Sequence, residues 1–131
     1  MAGLNDFPMA GVLRAEDFNR AKKFYTEVLG LVEDRSIGPD SGMFSVADGA
    51  TVMIYERPGM PAPENTTLAF GIPNDAWDFV VADLLAKGVV FEEYDMPEMG
   101  IQTTGGIAEM DVGKAAWFKD TEGNILNITT M

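Results

Sequence analysis

Two stretches of the chain repeat one pattern of apolar and polar positions. "DFNRAKKFYTEVLGLVE" at 17–33 and "DAWDFVVADLLAKGVVFE" at 75–92 each open on Asp, reach a glycine 13 positions later (Gly30 and Gly88), and then turn apolar. Apolar residues recurring at helical spacing predict a helix in each. One stripe is formed by Ala21, Phe24 and Val28, the other by Ala76, Phe79, Val80 and Leu84. Asp17 and Asp75 suit the N-cap, where a carboxylate accepts from free backbone N–H groups and meets the positive helix end; Asn74 suits the second cap equally. Gly30 and Gly88 suit the left-handed position after the last turn. The basic cluster "RAKK" falls on the solvated side of the first helix.

A short strand is predicted before each helix, at 9–15 and 67–72, and further strands behind it. In the first half these are "GLVEDRSI", "GMFSV" and "TVMIYE", separated by "GPDSG" and "ADG". In the second they are "VVFEEY", "GIAEMDV" with "KAAWFK", and "NILNITT", separated by "MPEMG", "TTGG" and "DTEGN". The stretch 57–65, "RPGMPAPEN", carries three prolines and no periodicity, and reads as a linker. The pattern therefore predicts an α+β fold of two tandem βαβββ modules, 8–56 and 66–131, within one domain. A four-stranded sheet with one helix on one face needs cover on the other, from the second module or a second chain.

Composition narrows the chemistry. With 131 residues the chain holds one compact domain, and 47% hydrophobic content fits a folded globule. It contains no cysteine and no histidine. That removes disulfides, thiolate nucleophiles, the usual general base, histidine-bearing triads and the common zinc and iron sites. A metal would need an all-oxygen shell, and no "DxDxDG" loop supplies one. Nine basic against 21 acidic residues give a net charge of −12. This balance argues against a nucleic-acid partner and is suited to solubility or to concentrating a cation. No apolar run approaches the roughly 18 residues of a membrane span, and the start has no signal-peptide pattern. The cytoplasm is the expected compartment.

The segments "RAEDFNRAKKFYTEVLGL" at 14–31, "TLAFGI" at 67–72 and "WFKDTEGNILNI" at 117–128 resemble the vicinal oxygen chelate superfamily, also called glyoxalase/bleomycin resistance/extradiol dioxygenase. The resemblance covers nearly the whole chain. It implies a cupped mixed sheet around a cavity, with helices on the outer face, commonly completed across a homodimer. It also implies metal ligands at four positions, which here carry Ala10, Met53, Thr67 and Asn127. None of these makes a divalent-ion site, so the resemblance points to a metal-free member of the bleomycin-resistance kind. No cofactor is expected.

In the family the position of Asn127 faces the cavity. Strand alternation then puts Ile125 and Thr129 on its face and Leu126 and Ile128 behind, against a helix. Phe118 packs on the helix side and Trp117 points inward, as a stacking plate for a planar ligand or as ordinary core. The same alternation aims Met53, Tyr55, Met43, Ser45, Thr67, Ala69, Ala10, Val12 and Arg14 inward. The segment 92–106, with Tyr94, Met96, Met99 and Ile101, reads as a flexible Met-lined rim or as a plain surface loop. The expected ligand-binding set is Trp117, Tyr55, Met53, Met43, Thr67, Ala69, Asn127, Arg14 and Met99. Two functions follow. One is a homodimeric binding protein that sequesters an aromatic or cationic antibiotic or metabolite in a dimer-interface pocket, with no catalytic residue. The alternative is a metal-independent isomerase or lyase using Tyr55, Glu56, Glu109 or Asp111 as acid–base groups.

Overall fold

A computed structural model describes residues 3–111 and 113–131. The chain divides into two compact units between Ala62 and Pro63, inside the proline-rich stretch. Each is a sheet with one helix in the βαβββ plan, the second enlarged by an extra hairpin.

The first unit contains β1 (Ala10–Ala15), α1 (Phe18–Lys23), β2 (Val32–Gly38), β3 (Ser41–Ser45) and β4 (Thr51–Glu56). The strand order is β1-β4-β3-β2, with β1 parallel to β4 and the other pairs antiparallel. Asp17 caps α1 as its sequence position suggests, accepting from the Arg20 amide at 3.1 Å. Glu56 Oε1 accepts from the Phe18 amide at 2.9 Å and ties the start of the helix to the end of β4. The buried face differs from the predicted stripe. Phe18, Ala21 and Tyr25 are buried, whereas Phe24 is only half-buried. Phe18, Ala21 and Tyr25 stand at i, i+3 and i+7, one face at ordinary helical spacing, and Phe24 lies at its edge. A π turn over Phe24–Val28 follows, closed by the Leu29 amide on the Phe24 carbonyl. Phe18 packs against Phe44 of β3 with ring centroids 6.4 Å apart.

The second unit contains β5 (Thr66–Ile72), α2 (Trp77–Ala86), β6 (Asp95–Met96), β7 (Ile101–Thr104), β8 (Ile107–Met110), β9 (Gly113–Lys119) and β10 (Ile125–Thr130). The order is β5-β10-β9-β8-β7-β6, with β5 and β10 parallel. The predicted strand "VVFEEY" is reduced to a single bridge, Phe91 to Phe118, with their rings edge-on at 6.1 Å. The strands come instead from the segment read as a rim or loop: β6 and β7 form a hairpin around a 3-10 turn at Pro97–Met99. Gly106 must be glycine, since a Cβ there would run into the Phe91 side chain and its φ is +82°. The start of α2 also differs. A 3-10 turn occupies Asn74–Ala76, so Ala76 takes the cap position rather than Asp75 or Asn74. Trp77 is the core anchor of the helix, 4% exposed, with Leu84 on the same face, while Phe79 is 74% exposed. Gly30 and Gly88 have φ of +76° and +91°, the left-handed conformation expected after each helix.

Truncating Trp77→Ala should therefore cost about 3–5 kcal/mol of stability, as for a large buried aromatic. Phe79→Ala should stay within about 0.5 kcal/mol. Denaturant unfolding of the two variants checks the assignment, and equal losses would contradict it.

Candidate ligand pocket

The β9–β10 turn sets the register of the second sheet. Asp120 Oδ1 accepts from the amides of Glu122 and Asn124, each at 2.8 Å, and its Oδ2 accepts from Asn124 Nδ2 at 2.8 Å. With the turn fixed, Asn127 faces Trp117 and Leu126 faces Phe118 across the ladder. Phe118 and Leu126 are buried, while Trp117 is half-buried on the opposite face. Trp77 of α2 shares a hollow with Lys114 and Ile107, which places the helix on the Phe118 side. Trp117 is thus on the face away from the helix.

On that face a cavity of about 380 Å³ opens. Its floor is Trp117 and Ile125, and Tyr94 meets Trp117 edge-on with centroids 5.5 Å apart at 76°. Met96, Met99 and Ile101 of the β6–β7 hairpin close one side, and Glu64, Asn65 and Thr66 close the other. Burial, and then the neighbouring Glu92 charge, push the Tyr94 phenol up from its ordinary value, so it remains a neutral hydrogen-bonding group. A larger hollow of about 540 Å³ lies on the helix side, but its Lys114 and Glu109 approach each other at 3.9 Å and it has no aromatic pair. The smaller, aromatic cavity is the candidate site.

The hairpin that carries Met96 and Met99 is fastened at its base. Thr103 Oγ1 donates to Glu93 Oε1 at 2.6 Å, the Gly106 amide donates to the same oxygen at 2.9 Å, and the Tyr94 amide donates to Thr103 Oγ1 at 2.7 Å. The Thr103 hydroxyl, then the Gly106 amide, hold the Glu93 carboxyl below its ordinary range.

Of the residues expected at the site, Trp117 and Met99 line this cavity. Ala69 and Asn127 stand in one row with Trp117, but Asn127 Nδ2 donates to the carbonyls of Ala116 at 3.1 Å and Ile128 at 3.2 Å. Thr67 does not line it. A bulge pairs Thr66 with Ile125 and Leu68 with Leu126, leaving Thr67 as the extra residue, and its hydroxyl donates to the Ile125 carbonyl at 3.0 Å. Thr66 takes its place. Met43 and Met53 are direct cross-strand partners in the first unit, with Tyr55 opposite Arg14 one pleat along. These four share the sheet face away from α1, since Phe44, Val52 and Ile54 occupy the buried face. Glu64 and Asn65 escape sequence reasoning because a linker assignment hides them. Tyr94, Met96 and Ile101 left a usable signal, apolar residues at alternate positions on either side of a Pro–Gly turn.

The four positions that the fold's metal-binding relatives imply do not fit an ion. Ala10 has no donor atom, Met53 offers only a thioether, and Thr67 and Asn127 offer one neutral oxygen each, a set with no carboxylate or imidazole for a divalent ion. Among the described residues no three of His, Cys, Asp and Glu come together. No helix among them is long and apolar enough to cross a membrane.

A model of the Glyoxalase/Bleomycin resistance protein/Dioxygenase superfamily matches residues 9–128. No curated protein matches the chain. Among solved structures, the chain is similar to the genomically encoded fosfomycin resistance protein FosX from Listeria monocytogenes, at 19% identity and TM-score 0.70, covering 100% of this chain and 94% of that one. A FosX mutant complexed with Mn(II) and 1S,2S-dihydroxypropylphosphonic acid matches at 20% identity and TM-score 0.65, over 90% and 84% of the two chains. A glyoxalase/dioxygenase from Nostoc punctiforme matches at 16% identity and TM-score 0.69, over 99% and 95%. At these identities the similarity is one of fold.

Because the Glu93 carboxyl is lowered on folding, its fastening should be complete above the ordinary carboxylate range and be lost as pH falls through the lowered value. Amide-exchange protection at Gly106 and Tyr94 should fall in acid, and should already be reduced at neutral pH in Glu93→Gln. Equal neutral-pH protection in the variant and the parent would show that the carboxylate does not hold the hairpin.

Proposed function

The chain belongs to the Glyoxalase/Bleomycin resistance protein/Dioxygenase superfamily, and on that premise we propose that it is a metal-free binding protein sequestering an aromatic or cationic small molecule, in the manner of drug-resistance members. The observation that carries this reading is the Tyr94–Trp117 pair at the floor of an apolar, Met-flanked cavity. An exposed ring edge and face in a concave site favour a planar partner by offset or edge-on contact. The absence of any carboxylate or imidazole at positions 10, 53, 67 and 127 supports binding without an ion.

The FosX comparison does not carry its ligand across. A phosphonate bound with Mn(II) calls for cations, and this cavity has no basic residue in its lining. The acid–base alternative draws little support from the candidate carboxylates. Glu56 accepts from the α1 amide, Glu109 faces Lys114 on the helix side, and Asp111 is exposed. The reading includes a homodimer with isologous symmetry.

A single gel-filtration peak addresses both metal content and assembly. Light scattering should give twice the 14.2 kDa chain mass, and elemental analysis should find no stoichiometric zinc, iron, nickel or manganese. A monomer, or about one metal per chain, would refute the corresponding part.

Trp117→Ala should weaken binding of ligands found in a thermal-shift screen of antibiotics and aromatic metabolites by about 1–3 kcal/mol. The half-buried position implies that the variant stays folded. A large loss of stability with unchanged affinity would make Trp117 a core residue and sink the proposal.

A further inference from the structure

Glu64 lies where the proline-rich stretch leads into β5, and among the described residues it is the only charged one lining the aromatic cavity. Among the described residues its carboxylate has neither a hydrogen bond nor an ion pair, although other acidic residues of this unit, Asp83, Glu92, Glu93 and Asp120, each have one. The other lining residues with polar side-chain atoms, Asn65, Thr66, Tyr94 and Trp117, are neutral. Asn65 donates to its neighbour's carbonyl at 3.1 Å. Glu64 is exposed at the edge of the cavity, where its carboxylate attracts a cation held against the apolar walls, an attraction weakened by solvent and salt.

From this juxtaposition we infer that Glu64 is the specificity-determining residue of the site, selecting planar aromatic ligands that carry a cationic amine or amidine and rejecting their anionic counterparts. The inference rests on the binding reading above and narrows its ligand class. The aromatic body lies against Trp117 and Tyr94, with the Met96 and Met99 thioethers adapting to its outline. The ammonium or amidinium group reaches Glu64. A carboxylate or phosphonate in the same place would face Glu64 with no compensating cation. The net charge of −12 favours cations everywhere on the protein, so the test must separate this background from the local contact.

Two acridines of nearly the same shape serve as probes, 9-aminoacridine as the cation and acridine-9-carboxylate as the anion. Each is titrated at low ionic strength into the parent protein and into Glu64→Gln, Glu64→Lys, Trp117→Ala and Asp75→Asn. Asp75 is an exposed carboxylate that does not line the cavity and controls for net charge. The parent should bind the cation at least about tenfold tighter, a preference that shrinks with added salt. Glu64→Gln should bring the two affinities to within about threefold, Glu64→Lys should invert them, and Asp75→Asn should leave the ratio unchanged. Trp117→Ala should weaken both probes. If both probes bind, both need Trp117, and Glu64→Gln leaves their ratio unchanged, the cavity stands and the role of Glu64 falls. If Glu64→Gln and Asp75→Asn change the ratio equally, the preference is global and the inference is overturned. If neither probe binds the parent, the binding reading and this inference fall together.

Discussion

The Asp120 carboxylate accepts hydrogen bonds from two backbone amides and from the Asn124 side chain within the tight turn between β9 and β10. Asp120 and Asn124 are both buried. Leaving either unsatisfied would cost roughly 1–3 kcal/mol, so the turn has little freedom to change length or register. A one-residue slip would exchange the two faces of the strands it joins. Phe118 and Leu126 would leave the core and Trp117 would enter it. The candidate cavity exists because this turn keeps the pairs Trp117–Asn127 and Phe118–Leu126 on their respective sides.

The residues at the family's metal positions have a common fate in the second unit. Thr67 and Asn127 turn their donor groups onto carbonyls of the sheet, Thr67 onto Ile125 and Asn127 onto Ala116 and Ile128. Both side chains thereby add a bond across the strands they sit on, while the aromatic pair and the thioethers line the cavity beside them.

The fold was legible because it is written twice. Asp17, Gly30 and Gly88 mark helix ends through backbone requirements that hold in any surroundings. The helix faces were harder to read. On α1 the buried face runs through Phe18, Ala21 and Tyr25, and on α2 through Trp77 and Leu84, while Phe24 and Phe79 belong to neighbouring stripes of the same period. Periodicity allows several such stripes and does not say which one meets the sheet. The bulge at Thr67 misled strand alternation because one added residue reverses the parity. The placement of Trp117 followed from alternation counted along an unbroken strand. Glu64 could not be found this way, because nothing in an irregular stretch states which element it will lie against.

The β6–β7 hairpin joins the rest of its sheet over a narrow span. Ile101 and Gln102 pair only with β6, and the pairing with β8 begins at Thr103. The three residues it contributes to the cavity, Met96, Met99 and Ile101, all fall within six consecutive positions, bounded by a knot of side-chain and backbone bonds around Glu93. Sequence change between Asp95 and Gln102 can therefore reshape one wall of the site without disturbing the helix, the core or the Asp120 turn. Exchanging one short contiguous segment would replace one wall of the cavity, which makes this hairpin the place to graft a different lining.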